Sequence, residues 1–310
     1  MKSNPILKKE LVLGARSIKL PLALFFYSGL LSLIAVSTLG SVSNTYYYYG
    51  NMNFETLTSV FMTLACIQAV IICIIIPVLT AGSIAGERER QTLDLMLTAP
   101  VSPRSIVMGK LLASMSQVFL FVISSLPAMG IAFLYGGIQW RYLLVFMVAI
   151  MCLAFFCGAI GIWCSSVYKK TIISVIMTMA VELIFFLGSF LVVIAVYYIK
   201  YEQAIQATGT YSVSNINIGW IPLVLLLNPA VGFADALITA YTGSRGIEVV
   251  MTMISGHMAS GMTKLYPYWS VLSLAVTLLL GFWFVMLAAR RIDSVRRKEK
   301  HMKVKKKRKK

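Results

Sequence analysis

Eleven acidic residues and two histidines supply nearly all the acid–base chemistry open to this chain of 310 residues, against 28 lysines and arginines. Glu182 is the acidic residue that stands deep inside an apolar run. It lies twelve residues past Lys170, which is about 18 Å along a helix. A carboxyl at mid-membrane depth is costly, and it marks either a translocation path or a hydrogen bond between helices. Gln68 and Gln117 are polar side chains in other apolar runs. They read first as packing groups and second as lining of the same path.

The second concentration of reactive groups is the stretch from Gly86 to Pro100, the densest block of charge outside the C-terminal tail. Five of its first nine residues are ionised, and Leu93, Met96 and Leu97 then form a short apolar stripe at helical spacing. Pairing of Arg90 with Asp94 one turn later is worth only a few tenths of a kcal/mol, so helix stability does not account for the charges. The pattern predicts a helix over 86–99, stopped by Pro100, that docks a soluble partner through Glu87, Arg88, Glu89, Arg90, Thr92, Leu93, Asp94 and Leu97.

Enzyme signatures are missing. No G-x-x-x-x-G-K-[ST] loop is present to cradle ATP phosphates, and neither G-x-S-x-G nor H-E-x-x-H occurs. Cys66, Cys73, Cys152, Cys157 and Cys164 all fall in apolar runs, where thiols act as small hydrophobes. His257 and His301 are remote from them, so no metal-site spacing exists. No catalytic residue, cofactor or metal is expected in this chain. Uphill work would draw on an ion gradient or on a separate ATPase.

These groups must be positioned by membrane-spanning helices. The chain is 59% hydrophobic and 13% charged, and several apolar runs exceed the ~20 residues that cross a bilayer as a helix. An all-α polytopic membrane protein follows, since a β-barrel would need short alternating strands. Six spans are predicted, at 18–41, 57–81, 104–135, 141–166, 171–199 and 268–289. They form a single six-helix transmembrane unit over 1–290, followed by a basic tail over 291–310 that is expected to be disordered. With this layout one side holds 24 lysines and arginines and the other holds four (Arg141, Lys200, Arg245 and Lys264), so both termini are expected in the cytoplasm. The formal charge of +17 therefore points to anionic lipid at the tail rather than to nucleic acid.

Residues 4–19 predict an interfacial helix, with Asn4 as cap, Pro5 in the first turn, and Leu7, Leu11 and Ile18 on one face. Tyr46 to Tyr49 predict an aromatic belt within an external loop over 42–56. Gly219–Tyr241 is apolar enough for another span, but counting it would place the basic tail outside. An external re-entrant hairpin broken at Pro222 and at Asn228-Pro229 is the expected alternative. Asp235 within it reads as an exposed carboxylate or a substrate contact.

Three motifs resemble a known family. Asn4-Pro5-Ile6-Leu7-Lys8-Lys9-Glu10-Leu11 resembles the N-terminal elbow of the integral permeases of ATP-binding cassette exporters. Glu87-Arg88-Glu89-Arg90-Gln91-Thr92-Leu93-Asp94-Leu95-Met96-Leu97-Thr98-Ala99-Pro100-Val101-Ser102, followed by Ile106-Val107-Met108-Gly109-Lys110, resembles their first cytoplasmic loop. Leu227-Asn228-Pro229 resembles a landmark late in the family's chains. The likeness is strongest to permeases associated with gliding motility and nitrous-oxide-reductase maturation, and only residues 200–218 and 242–267 look longer than the common pattern.

The resemblance implies an exporter subunit of a bacterial inner (plasma) membrane, with 86–99 as a coupling helix seated in a groove of an ATP-binding cassette ATPase. ATP and magnesium would be held by that partner chain. A second copy or a sibling permease would complete the transporter. Two other functions fit the residues alone: an ion-coupled secondary transporter using Glu182 as proton carrier, and a membrane scaffold or sensor that recruits a partner without transport.

Overall fold

The computed structural model describes residues 5–49, 54–93, 102–134, 139–208, 220–243, 246–255 and 265–307. Helix α1 (Pro5–Arg16) leads through a short break into α2 (Lys19–Tyr49), and α3 comes next at Phe54–Glu89. Beyond it lie α4 (Pro103–Leu134) and α5 (Trp140–Val167). Then α6 (Thr171–Leu183) passes through a π turn (Ile184–Gly188) into α7 (Ser189–Thr208). A 3-10 segment (Ile221–Leu227), α8 (Pro229–Thr242) and α9 (Gly246–Ser255) precede the 3-10 turn Tyr266–Tyr268 and α10 (Trp269–Lys307).

Among the described residues, six helical stretches are long and apolar enough to cross a membrane: Lys19–Ser41, Val60–Glu89, Pro103–Gly130, Trp140–Val167, Thr171–Gln206 and Tyr266–Ser294. Each overlaps one predicted span. Several helices run past the predicted ends, because a formed helix adds residues without a new nucleation cost. Thus α2 continues through the tyrosines to Tyr49, in place of the loop predicted from residue 42. By the same physics α10 continues to Lys307, so the tail predicted to be disordered from 291 is helical in its described part. Lysine, arginine and glutamate are good helix formers, and they extend a helix already begun in apolar sequence.

The apolar core centres on α5, which is buried along much of its length, with Phe146, Ala149, Ile150, Ala154 and Phe156 fully enclosed. Neighbouring α3 and α10 pack on it. Helix α3 approaches so closely that a Cβ added at Gly161 would overlap the Thr80 hydroxyl. Only glycine at that position allows the contact. One turn further on, the amide N–H groups of Ile84 and Ala85 donate to the buried Ser165 hydroxyl at 2.9 and 2.8 Å. The 3-10 segment and α8 together could form a further apolar stretch, but they are bent by 92° at Asn228. The break falls at one of the two places predicted for a re-entrant hairpin.

Candidate functional site

Helix α3 ends inside the charged block. Gln91 takes a left-handed backbone conformation, with φ +57°. Its N–H donates to the Arg88 carbonyl (3.1 Å), and the Thr92 N–H donates to the Glu87 carbonyl (2.9 Å). This is a Schellman turn, built on glutamine where glycine is usual. Helical winding resumes at Leu93. The single helix predicted over 86–99 is therefore interrupted: residues 86–89 complete α3, and the turn follows them before Leu93. Asp94 and Leu97 lie outside the described residues.

The charges before the turn engage other helices of the same chain. Lys110, on α4, is only 4% exposed, and its Nζ sits 3.0 Å from Glu10 Oε1 on α1 and 3.6 Å from Glu87 Oε1 on α3. A buried ammonium is tolerable only when opposed by charge and hydrogen bonds, and two carboxylates supply both. The Thr92 hydroxyl donates to the Glu87 carboxylate as well. Arg88 donates to the Ser166 and Tyr168 carbonyls, both at 3.2 Å, and so satisfies the end of α5. The Glu89 carboxylate accepts from the Thr171 N–H (3.1 Å) and hydroxyl (2.6 Å) at the start of α6. The sequence pattern turns each of these carboxylates and guanidinium groups toward a partner, and each is instead occupied within the chain. Leu93, also expected at the surface, is 5% exposed and belongs to the core. Arg90 and Gln91 are the exposed members of the turn.

Between α1, α3 and α4 these residues line a polar cavity of about 270 Å³, walled by Glu10, Glu87, Arg90, Lys110 and Gln117. Gln117 thus belongs to the site of the ionic cluster. Gln68 is fully buried in the core near Tyr27 and Ser125, a packing position joining α2, α3 and α4. Glu182 is 4% exposed and lines a different cavity, of about 400 Å³, with an apolar wall. Glu182, Gln68 and Gln117 do not share a cavity. Among the described residues no group of three or more His, Cys, Asp or Glu is placed to hold a metal ion.

The bent segment is fixed by one side chain. Asn228 Oδ1 accepts from the Ala230 and Val231 N–H groups and caps α8, while Nδ2 donates to the Phe186 carbonyl (2.9 Å) and the Ser189 hydroxyl (2.7 Å). The amide therefore ties the hairpin to the π turn, where a widened helix leaves carbonyls to be satisfied. Asp235, predicted as an exposed carboxylate, is 3% exposed. Its Oδ1 accepts from the Ile247 N–H at 2.6 Å and caps α9. An aspartate twelve residues ahead of an apolar helix can fold back on that helix, and alternation of charge and hydropathy does not reveal it.

Sequence reasoning assigns no role to Lys110, Ser165, Thr171 or Ser189. Lys110 leaves a usable signal, since a lysine beyond the first turn of an apolar span calls for a carboxylate partner. A family model described as "ABC-2 family transporter protein" matches residues 5–289, which is most of the chain. No curated protein matches it.

Proposed function

Because the chain belongs to the ABC-2 family of transporter proteins, a family of membrane components that pair with ATP-binding cassette ATPases, we propose that it is the permease subunit of an exporter driven by such an ATPase. The partner docks at the turn after α3, on the cytoplasmic side given by the distribution of lysine and arginine. Two permease subunits, identical or sibling, complete the translocation path in a bacterial plasma membrane. The motifs of the charged loop favour the branch associated with gliding motility and nitrous-oxide-reductase maturation.

One observation supports this reading above the rest: the residues just before the turn are bonded to three other helices, and through Lys110 they reach a fourth. Displacement of the turn would pull on α1 and α4 through Glu87 and Lys110, on α5 through Arg88, and on α6 through Glu89. Contact with the ATPase falls to Arg90, Gln91 and the later residues of the loop, including Asp94 and Leu97. Glu87, Arg88 and Glu89 transmit the motion. Thr92 and Leu93 hold the turn in shape. The α1 helix acts as the interfacial elbow, and the basic end of α10 meets anionic lipid.

Affinity purification of the chain from its native membrane tests the reading. An ATPase should co-purify, and ATP should drive accumulation in inverted vesicles. Recovery of the chain without any nucleotide-hydrolysing partner, together with uptake that tracks a proton gradient instead, would overturn it in favour of an ion-coupled carrier. Partner recruitment with no uptake under either condition would indicate a scaffold.

A further inference from the structure

Glu182 presents an unusual arrangement. Its side chain is enclosed, and its Oε1 has no hydrogen-bond partner within the chain. Nearby, Ser189 and Asn228 bond each other and Thr178 donates to the Ser174 carbonyl, while the Ser174 hydroxyl and the Gln68 amide share with Glu182 Oε1 the lack of a partner in the chain. The Cys157 thiol lies against the carboxyl, yet no basic side chain lines the cavity. A bare oxygen in an apolar chamber is unfavourable unless something brings it a donor.

The chamber lies between α3, α5, α6, the π turn and α8, with Ala69, Leu153, Phe186, Ala230 and Phe233 among its walls. Its volume of about 400 Å³ falls within the range of sites that hold small organic molecules. Val70, Ile74 and Leu183 at its edge are 60%, 55% and 54% exposed. The mouth therefore opens sideways, onto the apolar outer face of the spans. A ligand arriving there must be mostly apolar, must offer one strong donor to Oε1, and would meet the aromatic residues Phe186 and Phe233, whose ring faces suit a cation.

We propose that the Glu182 cavity is a binding site for a lipophilic amine, held as its ammonium against the carboxylate. Transfer of one proton from the acid form of Glu182 to an amine entering as the free base would form this pair. The product is an ammonium–carboxylate pair with no net change in charge. This deepens the transport reading and rests on it for its biological use, because it names the chemical class that the permease would accept.

Binding can be measured without ATP or a partner, so its failure is separable from failure of the transport reading. The full chain in phosphatidylcholine nanodiscs is titrated with radiolabelled decylamine, with decanol and decanoate of equal length as controls. Saturable binding of decylamine is expected, with affinity falling about tenfold or more in Glu182→Gln. Decanol should show no dependence on residue 182. Ala230→Leu, which fills the chamber without touching the carboxyl, should also weaken amine binding, and it decides the question if Glu182→Gln does not fold.

Amine binding that is absent, unchanged in both variants, or matched by decanol would overturn the proposal. Loss of a dimer in Glu182→Gln with amine binding unaltered would also overturn it, and would assign the cavity to a second copy of the chain.

Discussion

Lys110 Nζ lies 3.0 Å from Glu10 Oε1, joining the helix that precedes the first span to the start of the third. Glu87 approaches the same ammonium from the end of α3. Removing the lysine would leave two carboxylates facing each other in a partly enclosed cavity. Lys110→Ala should lower stability by about 3 kcal/mol, read as a drop in the thermal unfolding midpoint in nanodiscs. The triple variant Lys110→Met, Glu10→Gln, Glu87→Gln should recover much of that loss. Equal stability of Lys110→Ala and wild type would show the cluster to be inert.

Gln91 holds a positive φ that costs a residue with a Cβ about 1 kcal/mol. Gln91→Gly should therefore raise the unfolding midpoint, and Gln91→Val should lower it. The opposite order would mean that the glutamine side chain makes a compensating contact.

Arg90 and Leu93 sit on opposite sides of the turn, one exposed and one in the core. Arg90→Gln should weaken ATPase capture and reduce transport while leaving thermal stability nearly unaltered. Leu93→Ala should instead destabilise the chain by about 2 kcal/mol. Pull-down and unfolding measured on the same two variants separate partner contact from packing.

Asn228 performs two tasks with one amide. Asn228→Ala, which loses both the cap and the bonds to the π turn, should cost about 2 kcal/mol. Asn228→Asp keeps the cap but not the donor, and should cost about half as much. Hydrogen exchange at the Ala230 and Val231 amides should rise only in the alanine variant.

Gly161 and Thr80 mark the closest approach of α3 to α5. Gly161→Ala should destabilise by about 1–3 kcal/mol through overpacking. Adding Thr80→Ala should restore part of it, and failure of that rescue would place the strain elsewhere.

The spans are legible because crossing a bilayer depends on apolar length, and length is read along the chain. Asn228-Pro229 likewise announces the break, since proline and asparagine act on their immediate neighbours, whereas Pro222 sits within the 3-10 segment without breaking it. The fate of Glu87, Arg88 and Glu89 is not legible. Their partners Lys110, Ser166 and Thr171 lie far away in sequence, and a charged block looks the same whether it faces solvent or another helix. The stop at Gln91 is hidden because the residue expected in a left-handed turn is glycine. Asp235 misleads for a related reason: its partner, the Ile247 N–H, is a backbone group and leaves no mark in composition.

The π turn at Ile184–Gly188 holds one residue more than an α-helix would place in that length. Shifting that surplus residue along the fifth span would re-aim every side chain it passes by about 100°. Glu182 stands just before it, and Asn228 grips it from the side through Phe186 and Ser189. Release of that grip would allow the helix to turn about its own axis in steps while keeping its backbone bonded, a rotary adjustment that neither a hinge nor a tilt provides.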